Sequence, residues 1–230
     1  MRHLLTSILL LAASLTAHAQ YQAGDMFVYP RIGFAITNLT NNNIYYNMDS
    51  KELDSKAKAG LTVGVEAERF ISAPLSVSAG VMYTNQGHKY PDYGVDDKNA
   101  KTFWNCEDSK VTMHYLQVAV MLNLYVADGL AFKAGVEMGY LLHSKAQSVM
   151  TDGIIDSDNN YVVKTTERQS AKNTDIYRRF DLSIPMGASY EYMHFVLDLR
   201  YHLGLANLSK VEKNMHSSVV TFTLGYQFEL

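Results

Sequence analysis

The chain has 230 residues, with 20 Lys and Arg against 23 Asp and Glu, giving a formal net charge of −3. That mild acidity offers no basic stripe to a nucleic acid, which argues against nucleic-acid binding. Cys106 is the single cysteine, so an internal disulfide is excluded, and no run of eighteen apolar residues is present to form a transmembrane helix.

Residues 1–19, MRHLLTSILLLAASLTAHA, have a basic start at Arg2, an apolar centre from Leu4 to Leu15 and a small-x-small end at Ala17-His18-Ala19. This pattern predicts a secretory signal peptide with Gln20 as the mature start. The apolar centre is too short for a retained anchor, and no cysteine follows it for lipid attachment. Without a Pro, Gly or Ser-rich linker, residues 20–230 read as one domain.

After a short leader, strand one, Phe27 to Asn38, alternates Ile32, Phe34 and Ile36 with Arg31, Gly33 and Ala35. Successive side chains of a strand point to opposite faces, so a period of two is a strand signal. A polar stretch from Leu39 to Lys58 reads as a loop. Strand two runs from Ala59 to Ile71 and strand three from Leu75 to His88, joined by the short Ser72-Ala73-Pro74. A second polar loop is expected up to Lys110, and it should expose Cys106 to a membrane-impermeant maleimide.

Strands four and five lie within Val111 to Lys145 and meet at the Ala127-Asp128-Gly129 turn. A third loop, Ala146 to Asp175, leads to strand six, Ile176 to Tyr192. Met193 and His194 turn the chain into strand seven, which begins at Phe195. A loop over Asn207 to His216 precedes strand eight, Ser217 to Leu230.

Eight strands joined by strictly alternating long and short connections place all long loops at one end. The expected fold is an all-β, eight-stranded antiparallel up-and-down transmembrane β-barrel in the outer membrane, with short periplasmic turns and long outer loops. A soluble lipocalin-type barrel has the same strand number. It would bury the apolar face, yet the opposite face carries Gly, Ser, Thr, Glu and Arg and could not form a dry cavity. On strand six, Phe180 and Tyr190 bound an apolar face about 25 Å high, as a lipid-facing band requires.

Several segments together resemble the PorT-like outer-membrane beta-barrel family of Bacteroidetes-type bacteria. They are Val81-Met82-Tyr83-Thr84-Asn85-Gln86-Gly87, His114-Tyr115-Leu116-Gln117-Val118, Ala134-Gly135 with Gly139-Tyr140-Leu141-Leu142, Phe180-Asp181-Leu182, and Arg200-Tyr201-His202-Leu203-Gly204-Leu205. The chain departs from that pattern at Gly80, where the family usually carries glutamate, and at Gln117-Val118-Ala119, where it carries Glu-x-Pro. The resemblance implies a barrel fold and an outer-membrane location. It also implies an accessory part in an envelope or secretion machine, from which the family takes its name.

The inward positions collect Arg31, Lys133, Arg179 and Arg200 with Glu66, Glu68, Glu137, Asp181, Glu191 and Asp198, and with His202 beside them. An eight-stranded barrel is just wide enough for side chains to fill. The charges are therefore expected to pair across the lumen, with Arg200 as the central partner and with Lys133 and Glu191 hydrated near an end. Arg200→Met is expected to destabilise the fold by about 3–5 kcal/mol if the pair is fully buried.

Two constellations invite chemistry. Asp156, Asp158, Asn160 and Glu167 have the 1, 3, 5, 12 spacing of a calcium loop, but Tyr161 stands where the loop needs glycine. The plainer reading is a hairpin tip followed by a strand from Tyr161 to Thr166. His216 and Ser218 share the lipid-facing side of strand eight, as in lipid A deacylases, without an identifiable orienting carboxylate. The expected function is thus that of a non-enzymatic, monomeric barrel without cofactor or metal, serving envelope integrity or surface interaction through its long loops and meeting outer-membrane lipid and envelope or secretion-system proteins. A lipid-modifying enzyme using His216 and Ser218 is the alternative.

Overall fold

The computed structural model describes residues 21–46, 51–211 and 214–230, and the expected signal peptide lies outside them. In chain order the strands are β1 (Met26–Leu39), β2 (Ile44–Tyr46), β3 (Lys51–Leu53), β4 (Lys56–Ser72), β5 (Leu75–Lys89), β6 (Tyr93–Asp97) and β7 (Thr102–Ala127). They continue with β8 (Leu130–Ile155), β9 (Tyr161–Lys172), β10 (Phe180–Tyr192), β11 (Phe195–Gly204), β12 (Ser217–Tyr226) and β13 (Phe228–Glu229).

Eight of these form a ring of antiparallel pairs that runs β1, β4, β5, β7, β8, β10, β11, β12 and back to β1. They correspond to the eight strands read from the alternation. Ring closure satisfies the backbone hydrogen bonds that an open edge would leave exposed. The short connections all lie at one end, at Ala73-Pro74, Asp128-Gly129 and Met193-His194, and the long ones at the other.

Alternation gives the ring two unlike faces. Outward residues such as Phe34, Val120, Leu122, Val136 and Leu199 are exposed, whereas inward Arg31, Glu66, Asn123, Glu137 and Asp198 are buried. Exposed aromatics mark both ends of the apolar band. Tyr140 packs edge-on against Phe180 at the long-connection end, while Phe195, Tyr226 and Phe228 form a chain of edge contacts at the other.

The second and third polar loops prove to be largely sheet. β7 and β8 are 26 residues each and run far past the ring. β6 pairs with the free edge of β7 and β9 with that of β8, so a four-stranded sheet projects from the long-connection end. Strand six also starts later than expected, because Thr174–Ile176 form a 3-10 turn before β10 begins at Phe180.

Cys106 is in β7, opposite Tyr93, and is buried, which corrects its expected place in an open loop. The folded protein should therefore resist a maleimide that reacts fully after denaturation. Stoichiometric labelling of native protein, read by mass spectrometry, would contradict this packing.

Two turns show how local chemistry fits the ring. Gly129 has φ +70°, and a Cβ there would lie 2.4 Å from the Glu191 carbonyl oxygen, so only glycine fits. Met193 and His194 also have positive φ, 48° and 69°, the pattern of a type I′ hairpin turn built from residues that disfavour it. Replacing the pair with Asn-Gly should stabilise the protein by about 1–2 kcal/mol, since the left-handed conformation costs roughly that per ordinary residue. Urea unfolding in micelles would measure it.

Candidate functional site: a charged lumen sealed at both ends

The centre of the ring holds three cations and two carboxylates. Arg200, on β11, donates from Nε to Asp198 Oδ1 at 2.7 Å, and from Nη2 to Asp198 Oδ2 at 2.9 Å and Glu66 Oε2 at 2.7 Å. Arg31 reaches across from β1, with Nη1 2.9 Å from Asp198 and Nη2 3.4 Å from Glu66. Lys133 Nζ lies 3.4 Å from Asp198 and 3.9 Å from Glu66. All five are buried, so each charge is held by its neighbours instead of by water. Lys133 is thus not hydrated near an end: its backbone lies toward the short-turn end, but its long stem carries the ammonium inward.

Toward the long-connection end, Glu137 accepts from Gln117 Nε2 at 2.7 Å and Ser183 Oγ at 3.1 Å, and pairs with His202 Nδ1 at 3.0 Å. His202 Nε2 is 3.0 Å from Thr221 Oγ1, which fixes the ring. Asp181 accepts from Ser217 Oγ at 2.8 Å. Toward the short turns, Glu68 accepts from Asn123 Nδ2 at 2.9 Å, from the Tyr125 hydroxyl at 3.0 Å and from Ser76. The residual space beside Arg200, His202 and Glu137 is about 20 Å³, enough for about one water molecule and not for a channel.

Arg179 stands apart from this set. It is exposed just before β10, where Nη1 donates to the Leu141 carbonyl at 3.3 Å. The chain bends at the 3-10 turn, so the strand alternation does not carry Arg179 into the lumen. Glu191 is half-buried at the short-turn end, within reach of the Tyr21 hydroxyl and Gln227.

Both ends are closed by apolar clusters. At the short-turn end Tyr21 enters the ring and stacks on Phe70 with centroids 4.2 Å apart, while Phe27 and Tyr125 pack edge-on at 5.3 and 5.4 Å. Gln227 Nε2 lies 3.2 Å from both the Tyr21 and Tyr29 hydroxyls. At the other end Leu39, Val111, Met113, Tyr115, Leu141, Tyr177, Leu208 and Met215 pack together. Sequence reasoning left Tyr21 in a short leader and singled out only charged lumen residues. Asn123 and Gln117 sit on the inward alternation and could have been added, whereas nothing in the sequence marks Tyr21 as a plug.

The other two constellations are held by ordinary contacts. Asp156 accepts from the backbone N–H of Asp158 and of Asn160, each at 2.8 Å, which keeps its carboxyl below its usual range. Glu167 is well up β9, across from Met150, and no cluster able to hold a metal occurs among the described residues. His216 Nδ1 is 3.0 Å from the Ala206 carbonyl, and Ser218 Oγ is 3.2 Å from the Tyr201 hydroxyl, so each has a partner other than the other.

With this geometry in place, the sequence matches the outer membrane protein beta-barrel domain over residues 19–210. The chain belongs to that family. No curated protein matches it. Among solved structures, Ail of Yersinia pestis is 13% identical, with 90% of this chain and 100% of that one covered and a TM-score of 0.45. Neisserial surface protein A is 11% identical, with 88% and 97% covered and a TM-score of 0.42. Outer membrane protein W of E. coli is 16% identical, with 91% and 100% covered and a TM-score of 0.34. The protein is an outer-membrane barrel, so the exposed apolar belt meets lipid.

Proposed function

We propose that the barrel is a sealed, non-enzymatic anchor whose long connections face the cell exterior and present the projecting sheet to an envelope or surface partner. The observation that carries this reading is the pairing of a closed lumen with a four-stranded sheet far longer than membrane crossing requires. A filled interior leaves no room to move a solute, so the outer surface remains for function. The resemblance to the PorT-like family supports a partner in a secretion machine, with the barrel acting as a single copy.

The sheet can be removed without touching the ring. Asp92 Oδ1 already accepts from the Asp108 backbone N–H at 3.1 Å, and Ala146 is opposite Ala171. Deleting residues 93–107 and 149–170, each bridged by a short turn, should yield a protein that inserts at normal abundance but fails to restore detergent resistance or protein secretion to a deletion strain. Full restoration by the trimmed protein would sink the proposal.

A further inference from the structure

Just beyond the apolar band at the long-connection end, like charges stand side by side on neighbouring strands. Lys56 is opposite Lys89, Lys89 is opposite Lys110, and Lys145 is opposite Lys172. Cross-strand pairs of like charge are destabilising, so a row of them marks a surface that an anion would relieve. Lys110 follows Leu116, His114 and Thr112 on the outward alternation of β7, and Thr112 is opposite Lys145. The row therefore lies on the wall that faces lipid lower down.

Asp92, Glu107 and Asp108 interrupt this surface, with Asp92 Oδ1 accepting from the Asp108 backbone N–H at 3.1 Å. Asp108 is exposed, with Lys110 Nζ at 2.7 Å, and Arg168 and Lys89 also act on it electrostatically. Glu107 shares a row with Val149 and Arg168. Six cations, Lys56, Lys89, Lys110, Lys145, Arg168 and Lys172, thus face these three acids. Below them Tyr83, His114 and His143 form a polar aromatic row in which Tyr83 hydrogen-bonds His114 and the two imidazoles stack at 6.1 Å. Leu116, Leu142 and Val81 follow, all exposed to lipid.

We propose that this belt binds the phosphate groups of outer-leaflet glycolipid headgroups, with the acyl chains lying on the apolar wall beneath. Along the strands the cations stand two to six residues beyond the Tyr83, His114 and His143 row, one to three steps of the outward alternation, where a bilayer places its headgroups. The excess of positive charge there contrasts with the acidic balance of the whole chain. Basic residues near an anionic surface add their attraction, so several together make a defined site. The inference rests on the proposed orientation of the long connections toward the exterior.

The test uses the full-length protein in nanodiscs of phosphatidylcholine with or without lipopolysaccharide, and compares wild type with a K89Q/K110Q/R168Q variant. Wild type should retain lipopolysaccharide through size-exclusion chromatography and melt several degrees higher with it. The triple variant should bind it at least about tenfold more weakly, while K98Q/K101Q/K164Q at the far tip of the sheet binds as wild type. Millimolar inorganic phosphate in pure phosphatidylcholine discs should not reproduce the melting shift. Equal retention by the triple variant, or no retention by wild type, overturns the proposal. Orientation is read separately by labelling cysteines placed at Asp158 and Asp128 on intact cells: labelling only at Asp128 would overturn the orientation whatever the binding result.

Discussion

Asp198→Leu is expected to destabilise the protein by about 3–5 kcal/mol in urea unfolding from detergent micelles. Asp198 contacts all three central cations, so its removal leaves Arg31, Lys133 and Arg200 sharing Glu66 alone. Two positive charges would then lack a counter-charge in a space that admits about one water. Arg200→Met should cost less, near the lower end of that range. It removes three charge-assisted hydrogen bonds but leaves Arg31 and Lys133 facing two carboxylates, a balanced count. An Arg200→Met cost well above that of Asp198→Leu would show that hydrogen-bond geometry outweighs charge balance here.

The second large effect is expected at the aromatic seal. Phe70 is fully buried and touches Tyr21, Phe27 and Tyr125 with centroids 4.2, 6.0 and 5.0 Å away. Phe70→Ala removes the surface on which Tyr21 stacks, and truncating a buried aromatic costs about 3–5 kcal/mol. The leader segment should loosen with it, so cleavage by a protease near Tyr21 should accelerate well before the ring unfolds. Unfolding of the whole ring in parallel with that cleavage would mean that the leader is no separate plug.

The ring itself was legible because lipid and lumen impose opposite chemistry on alternate residues, as Leu197, Leu199 and Leu203 against Asp198, Arg200 and His202 show. The projecting sheet was legible only in part: the strand expected over Tyr161–Thr166 lies within β9, but every residue of β9 is exposed, so its continuation to Lys172 carries no apolar period and looks like a polar loop. The second loop failed for a related reason: Phe103 and Cys106 pack within a small sheet whose other faces meet water. Within the lumen, alternation marked Arg200, Glu66 and Asp198 as inward but could not say how far a long side chain reaches, which is why Lys133 was placed at an end. Arg179 shows the opposite limit, since parity has meaning only where the strand has begun.

The central claim is that this outer-membrane barrel is sealed by paired charges and two apolar seals, and single-channel recording in planar bilayers tests it most directly. Pure wild-type protein, shown to be inserted by its faster gel mobility unboiled than boiled, should give no more than brief, infrequent current events. Large, stable, long-lived conductance steps from the same preparation would contradict the account.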